Sequence, residues 1–214
     1  MIKNKYSKII VVILIFTTTA LISISCNEKN EVKNSDPEYV TKILNERAEK
    51  DSAMQYGSYS PFRRDTSVSF TGLKYFPPDE SFVFKSKLYR LNPPDTVVVM
   101  GTKGESRRVI LEGYVNCIKD EEDHHVNVYK GFAQNGEPYY SIWFTDKTTG
   151  DETYGVGRYL DFDFKPDKDF IYTIDFNLAY SPYCSYSSKY SCAIPTKEDH
   201  IDVAIKAGEK KFHQ

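Results

Sequence analysis

Residues 126–144 read VNVYKGFAQNGEPYYSIWF. Two runs rich in β-branched and aromatic residues, Val126–Tyr129 and Tyr139–Phe144, flank Asn135-Gly136, the strongest short signal for a β-hairpin in the chain. The same pattern extends in both directions. Upstream, Val97–Met100 and Val109–Tyr114 flank Lys103-Gly104-Glu105-Ser106. Before them, Phe82, Phe84 and Leu88 alternate with Val83, Lys85 and Lys87, with Ser86 interrupting the apolar side. Downstream, Trp143–Asp146 and Thr153–Tyr159 flank Thr148-Thr149-Gly150. Ile171–Tyr180 reads as one long strand and Val203–Lys206 as a last short one. Eight or more strands joined by tight turns predict a mainly β fold, an antiparallel barrel or sandwich. A content of 17 Tyr and 13 Phe agrees, since aromatic side chains suit a pleated, half-buried surface.

One helix is expected before the strands. Asp36 can cap free backbone N–H groups, Pro37 suits the first helical position, and Glu38 complements the positive end of the helix dipole. Val40, Ile43, Leu44 and Ala48 fall on one side, which predicts a helix to about Lys50. Asn27–Ser35 (NEKNEVKNS) is polar and charged, as a solvated tether would be.

The first residues carry an export signature. Lys3, Lys5 and Lys8 precede an apolar run from Ile9 to Ile24, interrupted by Thr17, Thr18 and Thr19 and closing in Ser23-Ile24-Ser25-Cys26. A short apolar run ending in small residues is a signal-peptide pattern rather than a membrane span. Cys26 stands where a bacterial lipoprotein carries its acyl chains, palmitate among them. Ser25 is suitably small, and Ser23 occupies a position where Leu is usual. The expected organisation is a signal peptide over 1–25, a lipidated Cys26 with its tether to 35, and one β-rich domain over 36–214. That domain would face out of the cytoplasm in the cell envelope, periplasmic or surface-exposed, with the membrane as partner through the lipid. An uncleaved anchor and plain secretion are the alternatives. Loss of 1–25 removes three lysines and no acid, so a formal net charge of −2 becomes more negative. A balance of that sign argues against nucleic acid as a partner.

The chemistry-bearing block is Gly150–Cys192, with GDETYGVGRYLDFDF followed by IYTIDFNLAYSPYCSYSSKYSC. Thr153-Tyr154-Gly155, Gly157-Arg158-Tyr159-Leu160-Asp161 and Asp175-Phe176-Asn177-Leu178-Ala179-Tyr180 are its core motifs. Ser60-Pro61-Phe62, Phe70–Pro77, Met100-Gly101-Thr102 with Gly104, and Ala207-Gly208-Glu209-Lys210 stand around it. Together these motifs closely resemble a bacterial family catalogued as domain of unknown function 1684, over about residues 39–212. The resemblance implies no established activity. The chain departs from the family pattern at Ser181, at Ala193-Ile194-Pro195-Thr196 and at Asp199-His200.

Within the block, strand alternation places Tyr172, Ile174, Phe176, Leu178 and Tyr180 on one face, and Thr173, Asp175 and Asn177 on the other. Arg158 interrupts the apolar face of Tyr154, Val156, Leu160 and Phe162. A buried Arg needs a partner, and Asp175, Asp161 or Asp151 could supply one through a bidentate bond. Arg158 is then a clamp between strands, a charge for an anionic ligand at a barrel mouth, or a surface residue. The candidate binding site comprises Arg158, Asp161, Asp175, Asn177 and Tyr180, with the loop between Cys184 and Cys192 as its rim. In an oxidising compartment Cys184 and Cys192 could form a disulfide. The alternative is zinc on the same pair with His200 or Glu198, although the short spacing typical of zinc sites is absent. No other cofactor or metal is predicted, and Cys117 reads as a buried free thiol. Glu121-Glu122-Asp123-His124-His125 reads as a solvated hairpin tip. The chain lacks G-x-S-x-G and any phosphate-binding glycine loop. The expected function is binding of a small molecule or envelope component. Alternatives are a hydrolase or metal-dependent enzyme using the same acids, and a structural or assembly lipoprotein.

Overall fold

A computed structural model describes residues 35–133 and 135–213. The expected signal peptide, Cys26 and all of the tether except Ser35 lie outside the described residues. Helix α1 (Pro37–Tyr56) starts as its sequence predicts, with Pro37 first and the Asp36 carboxylate accepting from the Glu38 N–H at 3.0 Å. It continues past Lys50 to Tyr56, where the Gly57 N–H closes onto the Ala53 carbonyl. Its buried side is formed by Ile43, Arg47 and Met54, while Leu44 is 51% exposed and Ala48 lies outside. A cation within the inner stripe explains the difference. Arg47 is buried because its guanidinium donates to the carbonyls of Phe76 at 2.8 Å and Asn177 at 3.2 Å, and no apolar count registers that. A short second helix, α2 (Pro61–Arg64), follows, capped by Ser60.

The strands are β1 (Val83–Lys87), β2 (Tyr89–Met100), β3 (Ser106–Lys119), β4 (Glu122–Phe132), β5 (Pro138–Asp146), β6 (Arg158–Asp161), β7 (Ile171–Asp175) and β8 (His200–Ile201). The fold is mainly antiparallel β. One sheet has the order β2-β3-β4-β5-β6, with β8 added parallel to β5, and a separate antiparallel pair joins β1 to β7. The larger ladder is an open path, with β2 and β6 at its ends. The hairpin at Asn135-Gly136 joins β4 to β5, with Phe132 opposite Pro138 and Gly136 at φ 85°. Asp120 and Glu121, both at positive φ, make the turn between β3 and β4. The acidic-histidine run is therefore divided: Glu121 sits at the tip, whereas Glu122–His125 belong to β4, where His125 stacks on Tyr114 at 4.5 Å.

Two expected strands are shorter than their sequence pattern, and a third lies elsewhere. Thr153–Gly157 holds no strand, only an isolated bridge from Thr153 to Thr149, and β6 begins only at Arg158. β7 stops at Asp175, whose carboxylate accepts the Asn177 N–H at 2.9 Å and starts a 3₁₀ turn over Phe176–Leu178. The alternation proposed for Asn177 and Tyr180 therefore does not hold, since neither lies in a strand. The last strand falls at His200–Ile201 rather than Val203–Lys206.

Two apolar layers flank the larger sheet. On one face Val115, Val128, Ile142, Phe144 and Leu160 pack with Tyr172, Ile174 and Phe176. On the other, Val99, Val109, Tyr129 and Trp143 form a second cluster. Strand β5 is thus buried on both sides, which accounts for its continuous run Ile142-Trp143-Phe144. Each such side chain stabilises by about 1.5–3 kcal/mol on burial. Among the described residues no helix is long and apolar enough to cross a membrane.

Candidate functional site

The five predicted site residues divide into three groups. Arg158 opens β6 opposite Phe144, and Asp146 lies two residues further along β5 on the same side of the sheet. Arg158 is 1% exposed. Its Nη2 lies 2.6 Å from Asp146 Oδ2 and donates to the Ile205 carbonyl at 2.8 Å, while Nη1 donates to the Ala207 carbonyl. Burial lowers the pKa of the guanidinium, and the Asp146 charge opposes that. The partner is therefore Asp146, rather than Asp151, Asp161 or Asp175. The bond ties the strand to the closing segment, which crosses the core as irregular backbone and needs donors for its carbonyls.

Asp175 and Asn177 form a second group. Asp175 accepts from the Tyr39 hydroxyl at 3.0 Å and from Asn177 Nδ2 at 3.0 Å. Asn177 then exchanges two hydrogen bonds with the Asp79 backbone, both 2.8 Å. These contacts join α1, β7 and the approach to β1. Asp175 holds the Tyr39 phenol protonated: burial raises its pKa first, and the carboxylate raises it further.

Asp161 and Tyr180 form the third group, and they lie on a cavity. Its volume is about 920 Å³. It is bounded by the second face of the sheet at β3, β5 and β6, by the end of α1 with Gly57–Ser60, and by residues within Tyr180–Ala193. Trp143, Tyr139, Tyr159, Tyr180 and Tyr183 supply most of its aromatic surface. The Tyr180 hydroxyl donates to Asp161 Oδ1 at 2.6 Å, and the backbones of Tyr159 and Tyr180 exchange two bonds of 2.8 Å. Burial, then the Asp161 charge, keeps the Tyr180 phenol far above its ordinary pKa, so this proton stays on the phenol. A smaller cavity of about 250 Å³ borders α1 and collects Arg47, Lys50, Asp161, Asn177 and Tyr180. Lys50, Asp161 and Tyr180 line both spaces. Lys50 is held by Glu209 at 2.9 Å and lies 4.5 Å over the Tyr180 ring. Apart from Tyr180, the aromatic surface was not part of the predicted site. Trp143 and Tyr159 read there as ordinary strand residues, and only the sheet register brings them together.

Cys184 and Cys192 are free half-buried thiols at the edge of this space, with Cys192 in its wall. The Cys184 N–H donates to Cys192 Sγ at 3.3 Å. The hydrogen bond from Cys192 draws the Cys184 thiol down to about 7, while the same bond pushes Cys192 up. Burial pushes Cys117 up to about 12. Among the described residues no three His, Cys, Asp or Glu side chains converge as a metal needs. His200 bonds to Thr145 and Glu198 pairs with Lys197, so neither completes a zinc set. Since the thiolate is the nucleophile, alkylation of Cys184 by iodoacetamide is expected to rise with pH through about 7. Cys117 is expected to stay unlabelled in the native protein over that range. Equal labelling of Cys184 and Cys192, read by peptide mass spectrometry, would contradict the pairing.

No curated protein matches the chain. Among solved structures, the solution NMR structure of an uncharacterized protein from gene locus rrnAC0354 of Haloarcula marismortui is similar, with TM-score 0.59 and 30% identity. The match covers 81% of this chain and 94% of that one. Residues 68–210 match the family described as protein of unknown function (DUF1684), which includes β1–β8, Arg158 with Asp146, and the Asp161–Tyr180 pair, so the chain belongs to this family.

Proposed function

We propose that the protein binds a small organic molecule in the 920 Å³ cavity, with aromatic side chains giving contact area and Asp161–Tyr180 giving orientation. The observation that carries this reading is the cavity itself. Its volume falls within the roughly 300–1,000 Å³ of ligand sites, and its walls combine apolar surface with a few polar groups, as such sites do. Of the five predicted residues, Asp161 and Tyr180 face this space; Arg158 and Asp175 serve as ties in the scaffold. In the same reading the scaffold is a sandwich whose small second layer is β1 with β7. The domain is held outside the cytoplasm by a lipid on Cys26, and Cys184 with Cys192 close the cavity's edge as a disulfide where the compartment is oxidising. A hydrolase built on paired carboxylates has less support, because Asp161 and Asp175 occupy different places and Asp175 is taken by Tyr39 and Asn177.

Trp143 is the single tryptophan of the chain and lies in the cavity wall, so its fluorescence reports the site directly. Titration of the full chain with a panel of ring-containing small molecules is expected to quench or shift that emission saturably. Tyr159→Ala is expected to weaken the best of them by about 5- to 150-fold, given about 1–3 kcal/mol for an aromatic platform. A panel that leaves Trp143 emission unchanged would refute binding in this space.

A further inference from the structure

The geometry points to an organic cation, an amine or quaternary ammonium on an apolar body, as the class of ligand this cavity takes. This rests on the binding reading above. Among the described residues three charged side chains line the space: Lys50, Arg107 and Asp161. The two cations already hold acids, Lys50 the buried Glu209 and Arg107 the partly exposed Glu105. Lys50 is bonded at 2.9 Å to Glu209, which is fully buried. Turning Lys50 toward the cavity would leave that carboxylate without a counter-charge in the interior, so the ammonium stays where it is. Arg107 donates from Nε to Glu105 Oε1 at 2.9 Å and from Nη2 to the Ser191 carbonyl at 2.8 Å. Glu105, bonded first by Ser191 and then by Arg107, is held down to about 2 and remains a full negative charge.

Asp161 differs from both. It is exposed, its side chain accepts one bond, from the neutral Tyr180 hydroxyl, and it makes no ion pair among the described residues. The uncompensated charge on the wall is therefore negative. The surrounding surface favours the same sign of ligand. Aromatic faces carry negative electrostatic potential and attract cations within about 6 Å of the ring centre. Trp143 and Tyr159 lie 5.7 Å apart at 36°, and Tyr159 and Tyr180 lie 6.2 Å apart at 66°, so these rings form a bent wall leading to Asp161. The Lys50 ammonium already lies 4.5 Å over the Tyr180 ring, so the rings that select a ligand cation are Trp143 and Tyr159, and they act independently of the Asp161 carboxylate. The volume leaves room for an apolar body well beyond an ammonium group.

The test compares three ring compounds by Trp143 emission in the full chain: benzyltrimethylammonium, neutral benzyl alcohol and anionic benzenesulfonate. The cation is expected to bind about tenfold or more tighter than the alcohol, in line with a carboxylate and ring faces acting together. Asp161→Asn retains an acceptor for Tyr180 and is expected to shrink that preference to what the ring faces alone supply. Tyr180→Phe frees the carboxylate and is expected to keep the preference. Equal binding of cation and alcohol, or tightest binding of the sulfonate, would overturn the cation inference while leaving the cavity reading intact. Failure of all three to alter Trp143 emission would overturn both.

Discussion

Asp146→Ala is expected to be the most damaging single substitution in the domain, with a loss of about 3–5 kcal/mol. The variant leaves the Arg158 guanidinium, itself 1% exposed, without a counter-charge in the core beside Phe144. It also removes the acceptor for the Thr148 N–H and hydroxyl, which shape the turn after β5. A domain of this size has a total stability of about 5–15 kcal/mol, so the loss approaches the margin for folding. Arg158→Met is expected to be costly as well, because it leaves the fully buried Asp146 carboxylate with only Thr148 as its donor. It strips donors from the carbonyls of Ile205 and Ala207, each worth about 1–3 kcal/mol when left unsatisfied. The double variant Asp146→Leu with Arg158→Met is expected to be more stable than Asp146→Ala alone, since removing both charges avoids the isolated one. Urea unfolding followed by circular dichroism decides it. A loss below 1 kcal/mol for Asp146→Ala would mean that Arg158 does not depend on its partner, and the clamp would be refuted.

That pair shows where sequence reading stops. Burial and pairing of Arg158 were legible, because a lone cation on an apolar face has few other fates. Its partner was not, since Asp146 lies across a turn whose shape depends on the carboxylate itself. Asn135-Gly136 gave its hairpin and Asp36-Pro37-Glu38 its helix start, because each is a local device with a local cause. Cys117 was readable for the same reason: a thiol among alternating strand residues is buried by the strand. Helix α1 misled where Arg47 replaced an apolar residue on the inner side. β7 misled where Asp175 turned the chain into a 3₁₀ turn. The cavity lay beyond sequence reading altogether. Its walls come from β3, β5, β6, the end of α1 and the segment after Tyr180, and no local pattern records that convergence.

Glu209 shows how the same limits apply to a residue that a motif flagged but did not explain. Sequence reading placed it in the closing motif Ala207-Gly208-Glu209-Lys210 and gave it no role. In the fold it is fully buried, accepts from the Tyr186 hydroxyl and pairs with Lys50. Gly208 makes this placement feasible: it has φ 75°, and a Cβ there would meet the carbonyls of Ala179 at 2.6 Å and Phe176 at 2.7 Å. Glu209→Ala empties this position, leaves Tyr186 without its acceptor and strips Lys50 of its counter-charge. Lys50 is 28% exposed and can reach water, so the expected cost is about 1–3 kcal/mol, the range for a buried hydroxyl left without its acceptor. Glu209→Gln is the more informative change. It keeps an acceptor for Tyr186, so the expected loss is smaller, and it frees Lys50, whose side chain is 28% exposed, from its tie. The ammonium can then turn across Tyr180 toward Asp161, which borders the same two cavities. The variant is therefore expected to show a reduced cation preference in the Trp143 titration, as Asp161→Asn does, although every residue in the aromatic wall is intact. Adding Lys50→Met to Glu209→Gln removes the competing ammonium and is expected to restore that preference. Unfolding curves and the titration, run on the same samples, separate the two effects. A Glu209→Gln protein that keeps full cation preference would show that Glu209 supports the fold without controlling the charge that Asp161 presents.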